Sequence, residues 1–304
     1  MRFSVIIAAR NAVKTLGATL DSISNQEFQD HEVILIDDAS TDSSSQLAEQ
    51  HAINVHIVNL PCSIGPGAAR NYGATLACGD YLTFLDADDF WFPWTLSSIN
   101  EAIRVQTNAC FFAGKAVRGD IHPHDASNFR DTLGISYFQD YLESASDHLW
   151  IGVGGVAIER QTFSRVGGFA EWQENSEDSD LWLRLGKSPG FVEINSPPLF
   201  YYRQLDTGLT SRPDRIAKGY MHLIKNELAG NYPGGADSRI NRLKMLTRHT
   251  RSASLELLRL GRIDEAFDLY LSTFFWNFRL FRFKYLFGFW GMAALRFVFP
   301  GTGG

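Results

Sequence analysis

Cysteine is scarce in this sequence. Cys62, Cys78 and Cys110 are its three in 304 residues. They are odd in number and nowhere form a CxxC pair, which argues against a disulfide framework or a cysteine-based zinc site and for reduced thiols. A basic surplus is also missing. With 28 Lys and Arg against 34 Asp and Glu the net charge is −6, so the concentrated positive surface that nucleic-acid binding needs is not expected. Long apolar runs are absent too: no stretch reaches the roughly 18 to 20 residues of a membrane-spanning helix. The opening MRFSVIIAARN is too short in its apolar part, and is interrupted by Ser4, to read as a secretory signal. It reads as a first buried strand, and a cytoplasmic location is expected.

What is present is an ordinary globular composition, 45% hydrophobic and 20% charged, enough for one large domain or two unequal ones. The first hundred residues alternate strand-like and helix-like patterns. FSVIIAA, EVILID, residues 55–58 and YLTFL read as strands; residues 13–24, 42–51 and 68–77 read as helices. This alternation predicts an α/β fold with a mostly parallel, helix-covered sheet, which binds ligands beyond the carboxyl ends of its strands. Asp37 and Asp38 fall at one such end, and Asp86, Asp88 and Asp89 at another. From about residue 105 to 200 the candidate strands ACFFAG, VGGVAI, FVEI and LFYYR are expected to be mixed in direction, with residues 118–131 as a loop. After Arg215 the pattern becomes helical, over residues 216–228, 239–260 and 263 onward. The domain boundary is therefore set at 215, giving an α/β domain of residues 1–215 and a helical region of 216–304. SLELLRLGRIDEAFDLYLS reads as a single helical hairpin without a repeat.

The stretch TFLDADDFW places three carboxylates at the end of an apolar strand and follows them with aromatic bulk. The plain interpretation is a solvated turn in which Asp89 caps a following helix. An EF-hand would need a glycine at its sixth position. The reading preferred here is a divalent cation, Mg²⁺ or Mn²⁺, shared with substrate phosphates, with Asp88 as direct ligand and Asp86 holding a ribose or a metal-bound water. GPGAARNYG departs from a dinucleotide-binding glycine motif because Arg70 occupies the third glycine position. It reads as a helix start packed closely on the sheet, with Arg70 near a diphosphate or an acidic partner. In WQENSEDSDLWLRL, the acids Glu174, Glu177, Asp178 and Asp180 precede or open a helix, where its dipole favours them. A carboxylate here could also act as general base on an acceptor hydroxyl.

Taken in order, FSVIIAARN, VILIDDASTD, GPGAARNYGATLACGDYLTFLDADD, VGGF and SEDSDLWLRL resemble the family 2 glycosyltransferases of GT-A fold, over roughly residues 1–210. The resemblance implies an inverting enzyme using a nucleotide-activated sugar, with UDP-sugars favoured, and Mn²⁺ or Mg²⁺. It implies that Ala8, Ala9 and Asn11 line the nucleotide pocket, that Asp37 or Asp38 holds base or ribose, and that Arg70 lies near the nucleotide. It further implies Asp86 and Asp88 as the D-x-D pair and Asp178 as the catalytic base oriented by Glu177. Trp150, Gly154 and Gly155 would lie near sugar or acceptor. Two departures stand out: the first strand ends in Ala-Ala-Arg-Asn rather than Pro-x-Tyr-Asn, and Leu205 stands where a metal-reaching histidine is common. His122 and His124 are read as surface loop histidines.

The segment STFFWNFRLFRFKYLFGFWGMAALRFVFP is dense in aromatics, with Arg279, Arg282, Lys284 and Arg296 among them. It is either a helix packed on protein or a segment lying in a membrane interface. Peripheral association with the inner face of a cell membrane is the expectation, in keeping with a glycan or lipid-linked acceptor. A catalytically silent nucleotide-sugar or glycan-binding protein is the second reading, and a nucleotidyltransferase the third. The third is disfavoured because AARNAVKTLG lacks a glycine-rich phosphate loop.

Overall fold

In the computed structural model, residues 2–118, 129–147, 151–203 and 213–298 are described. The chain divides into two units, one of Met1–Gln173 with Lys187–Gln204 and the other of Glu174–Gly186 with Leu205–Gly304.

In the first unit the four leading apolar runs become parallel strands, β1 (Phe3–Ala9), β2 (His31–Asp37), β3 (His56–Asn59) and β4 (Tyr81–Phe84), in the order β3-β2-β1-β4. Val5, Ile6 and Ile7 are all fully buried, so consecutive positions of β1 are apolar because both faces of the sheet are covered. Each such side chain contributes roughly 1.5 to 3 kcal/mol of burial. The helices between them are α1 (Leu16–Ser24), α2 (Ser44–Glu49) and α3 (Pro66–Leu76). In α1, Leu16, Thr19, Leu20 and Ile23 are buried at helical spacing. It starts at Leu16 rather than Val13, because the backbone N–H of Val13 is drawn to the Asp42 carboxylate and the Thr15 hydroxyl to the Ala87 carbonyl. In α3, a Cβ on Gly73 would lie 2.6 Å from Cγ2 of Ile6. The small residue lets the helix backbone approach the sheet.

Beyond β4 the sheet changes character. With β6 (Phe111–Gly114), β8 (Gly134–Phe138), β9 (Val156–Glu159) and β10 (Phe191–Ser196) it continues in the order β4-β9-β6-β10-β8. Strand β9 runs antiparallel to both its neighbours. The sheet is thus parallel where the chain alternates strand and helix, and mixed thereafter. Of VGGVAI only the part from Val156 is strand; residues 153–155 form a short helical turn. A separate sheet, β5-β11-β7, joins β5 (Phe90–Trp91), β7 (Ala116–Arg118) and β11 (Phe200–Tyr202). An extended pair of residues, not the Asp89-capped helix of the plain interpretation, therefore follows the acidic cluster. Phe90 stacks on Tyr201 with ring centroids 4.7 Å apart, and the indole of Trp91 donates to the Gly154 carbonyl at 2.6 Å. These contacts hold the chain extended, and α4 begins only at Thr95, running to Val105.

The second unit is helical: α6 (Glu177–Arg184), α7 (Pro213–Leu228), α8 (Arg239–Arg259), α9 (Ile263–Arg279) and α10 (Phe283–Val298), α5 (Arg160–Arg165) belonging to the first. Buried Arg242 donates to Glu227 at 2.7 Å and to the carbonyls of Pro233 and Gly235, so one guanidinium closes the Gly-rich break between α7 and α8. Helices α8 and α9 form the single hairpin read from the sequence, turning at Gly261 with φ +75°. The run after Ile263 breaks at Phe281, φ +54°, into two helices. No helix among the described residues is long and apolar enough to cross a membrane.

Candidate active site

The carboxyl ends of β1, β2 and β4 carry the polar residues singled out above. Ala9 pairs with Asp37 in the sheet register. Asn11 sits at φ +52° and its side-chain oxygen accepts from the backbone N–H of Thr41 at 2.8 Å. Asp37 accepts from the Ser40 N–H at 2.9 Å. Asp38 is buried, and its two oxygens accept from the Ser63 hydroxyl and the N–H groups of Ile64 and Gly65. Asp38 therefore organises the turn into α3, where Gly65 adopts φ +91° ahead of Pro66. Of the two candidates for base or ribose, Asp37 at the strand end has the smaller structural commitment. Ala8 is half-buried and Ala9 buried at the end of β1.

One carboxylate oxygen from each of Asp86, Asp88 and Asp89 lies within 4.8 Å of the other two. The turn is fixed from beneath by α1: buried Thr19 donates to the carbonyls of Asp89 and Ala87, and Thr15 to that of Ala87. Asp89 also accepts from the backbone N–H of Arg203 at 2.9 Å, which ties the cluster to the end of β11. Burial, and then the charge of Asp86, push the Asp88 carboxyl up to about 6; Arg203 and Arg70 offset part of that. Asp89, the most buried of the three, is also pushed up, by burial and by its two acidic neighbours. Hard oxygen donors in close array, with Asp88 and Asp89 held above the ordinary carboxylate range first by burial and then by their acidic neighbours, fit a divalent cation of the Mg²⁺ or Mn²⁺ kind.

Part of the compensation comes from the protein itself. Arg70 on α3 donates to Asp86 at 2.6 Å, and its guanidinium lies over the ring of Phe169, 5.2 Å from the centroid. The next residue holds that ring in place. The Asn71 side chain accepts from the Phe169 N–H at 2.8 Å and donates to the Phe169 carbonyl at 2.9 Å. Gly168, at φ +67°, permits this because a Cβ there would run into the Asn71 oxygen. The sequence motifs RNYG and VGGF are thus two halves of one support. Sequence pattern points Arg70 toward a diphosphate or an acidic partner without identifying Asp86, groups Asp89 with the acidic cluster without giving it a role, and does not reveal Phe169, Asn71 or Arg203 as parts of the site. The adjacent Arg70-Asn71 pair, and the aromatic directly after two glycines, were the available signals.

In the second unit, α6 opens with the acids of SEDSD. Ser176 precedes it at φ +76°, Glu177 is buried, and Asp178 is half-buried and accepts from the Ser179 N–H at 2.5 Å. Asp180 is a structural acid, accepting from Arg184, Asn226 and Tyr232. Glu174 lies 3.6 Å from His222. Burial, and then the charge of Asp178, push the Tyr220 hydroxyl upward. Gly219 of α7 packs against the turn that precedes α6, where any side chain would meet the Asn175 carbonyl. Gly154 and Gly155, in the first unit, are explained by packing: added Cβ atoms would lie 2.7 and 2.8 Å from the ring of Phe200. Trp150, Leu205, His122 and His124 lie outside the described residues.

Comparison with known proteins fits this arrangement. Residues 4–165 match the family model described as Glycosyl transferase family 2. The amylovoran biosynthesis glycosyltransferase AmsB of Erwinia amylovora is 39% identical over 215 residues, covering 66% of this chain and 69% of AmsB. The Escherichia coli protein WfaP, a UDP-Glc:alpha-D-GlcNAc-diphosphoundecaprenol beta-1,3-glucosyltransferase, is 35% identical over 112 residues, 36% of this chain and 43% of WfaP. The first curated relatives are spanned over about two thirds of their length, 66% and 69%. Among solved structures, S. aureus TarS 1-349 in complex with UDP-GlcNAc superposes with a TM-score of 0.67 at 20% identity, over 86% of this chain and 76% of TarS, which identifies the GT-A fold. With its family model covering more than half the sequence, this chain belongs to the family 2 glycosyltransferases.

Proposed function

We propose that this chain moves a sugar from a nucleotide-sugar donor to an acceptor hydroxyl with inversion at the anomeric carbon, in the assembly of a bacterial polysaccharide or glycolipid. The observation that carries the reading is the acidic turn Asp86–Asp89 at the carboxyl end of β4, held by Thr19 and faced by Arg70. Asp86 and Asp88 are the residues that would hold a divalent cation. When bound, such a cation supplies positive charge opposite a departing diphosphate. Arg70 orients Asp86 through their 2.6 Å contact, and Asp37 and Asn11 at the neighbouring strand ends are assigned to the nucleoside.

Asp178 is assigned as the base and Glu177 as its orienting neighbour, on their motif and on their place at the start of α6. In the step, the acceptor O–H proton passes to Asp178 as the acceptor oxygen bonds to the anomeric carbon. The bond from that carbon to the diphosphate breaks, and its electron pair leaves with the phosphate oxygen. Gly154 and Gly155 would line the sugar side through their backbone. A UDP-sugar is the favoured donor: TarS is seen with UDP-GlcNAc, and WfaP is named for a UDP-Glc donor and a diphosphoundecaprenol-linked acceptor. A lipid-linked acceptor is accordingly favoured here. The test is Asp178→Asn, assayed with UDP-sugars and membrane-derived acceptor: transfer should vanish while UDP binding persists. Retained turnover would remove Asp178 from the role of base.

A further inference from the structure

We propose that the corner between α9 and α10 is a membrane-docking surface that inserts aromatic rings into an anionic lipid interface. The proposal concerns where the chain sits and stands independently of the transferase chemistry. Along α9 the exposed stripe reads Asp264, Asp268, Leu271, Phe275 and Phe278, changing from acidic to aromatic toward the corner. Phe275 is 79% exposed, Phe281 80% and Phe287 76%. Rings this large are normally buried, and several gathered on one surface mark an interaction site. Their exposure is not disorder of the corner. Phe278 and Phe281 both pack edge-on against Phe283, and Arg282 turns inward to bond Thr247 and the Lys244 carbonyl on α8.

Charge selects the occupant. Asp268 is the last acidic residue of the sequence, so every later ionisable side chain at this corner is basic or an aromatic hydroxyl. Arg279 and Lys284 are exposed beside the rings. Aromatics flanked by cations, on helices too short or too polar to span, match the headgroup region of an anionic leaflet. A second copy of the chain meeting the same surface symmetrically would set these cations against each other. The outer face of α10 beyond Lys284 adds Phe287, Trp290 and Leu295 without an acid, which extends the same apolar contact along one helix.

The experiment is co-sedimentation of the full chain with vesicles of equal parts phosphatidylglycerol and phosphatidylcholine, against pure phosphatidylcholine, with no donor or acceptor present. The wild type should pellet with the anionic vesicles and far less with the neutral ones. Phe281→Ser with Phe287→Ser should weaken partition about tenfold or more. Arg279→Glu with Lys284→Glu should weaken it comparably, and added salt should mimic that change. All four positions are exposed, so thermal melts of these variants should match the wild type. No pelleting of the wild type, or equal pelleting of the variants, overturns the proposal. So does a wild-type dimer that the serine variants dissolve without any vesicle binding, which would make the corner an interface between copies. Failure here leaves the transferase reading intact, because that reading is scored on transfer and UDP binding.

Discussion

Arg70 donates to Asp86 at 2.6 Å while its guanidinium rests on the ring of Phe169. One cation thereby links the helix after β3, the acidic turn after β4 and the aromatic of the GGF motif. The protein holds three carboxylates together because it supplies part of the opposing charge from within the fold, leaving the remainder for a ligand.

Arg70→Ala should therefore have two separable effects. The Asp86 side chain keeps 31% exposure, so losing its partner should cost about 1 to 2 kcal/mol of stability rather than the roughly 3 to 5 of a fully buried pair. Addition of Mn²⁺ should raise the melting temperature of the variant more than that of the wild type, since the cation then relieves a larger repulsion. Equal shifts, measured by differential scanning fluorimetry, would show that Arg70 does not share the carboxylate charge.

The support beneath Arg70 makes a second expectation. Gly168→Ala places a Cβ against the Asn71 oxygen and forces φ +67° on an alanine. The cost should be about 1 to 3 kcal/mol, read as a lower denaturant midpoint. Gly167→Ala, also at positive φ but with nothing near its Cβ, should cost less. If both cost the same, backbone strain and not the Asn71 clamp explains the motif.

Gly219→Ala tests the turn before α6. The new methyl meets the Asn175 carbonyl and should displace Ser176 and the acids after it, at about 1 to 3 kcal/mol. Transfer should fall at least about tenfold through kcat, as expected for a displaced base, while UDP affinity stays near the wild-type value. A fall in UDP affinity equal to the fall in transfer would argue against a positional effect on Asp178.

Stability should also respond to pH through His249, whose ring stacks on Tyr220 in the second unit. Burial, and then Arg248, lower its imidazole from 6.5 to about 4. The unfolded chain binds a proton through this window and the native state does not, so this stabilisation is present above about 6.5 and lost as pH falls toward 4. The change is up to roughly 3 kcal/mol, less where water reaches the ring. His249→Gln should flatten the melting temperature over that interval; an unchanged pH profile would contradict it.

Much of the fold was legible because local pattern and tertiary role agree. The run FSVIIAA is buried on both faces, as a central parallel strand requires, and α1 buries the face its spacing marks. The elements that were missed have few residues and distant partners. The strand Phe90–Trp91 has two residues and exists because β11, more than a hundred positions later, pairs with it. Periodicity cannot signal such a strand. The site was legible as residue types at strand ends: the structure brings Asp86, Asp88 and Asp89 together after β4 and sets Arg70 against Asp86. The Arg70–Asp86 pair, the Asn71–Phe169 clamp and the fixing of the turn by Thr19 join positions distant in sequence, which composition and spacing do not relate. The glycines at 154 and 155 show the opposite limit, since the ring of Phe200 alone requires small residues there, and residue type by itself does not signal a ligand.

The most direct test of the central claim is calorimetric titration of UDP into the wild type and into Asp88→Asn, each with and without Mn²⁺. The account expects Mn²⁺-dependent UDP binding by the wild type, and loss of that dependence, with affinity reduced about tenfold or more, in the variant. UDP binding of equal strength in all four titrations, or no binding by a folded wild type, would contradict the assignment of the acidic turn as the metal and diphosphate site.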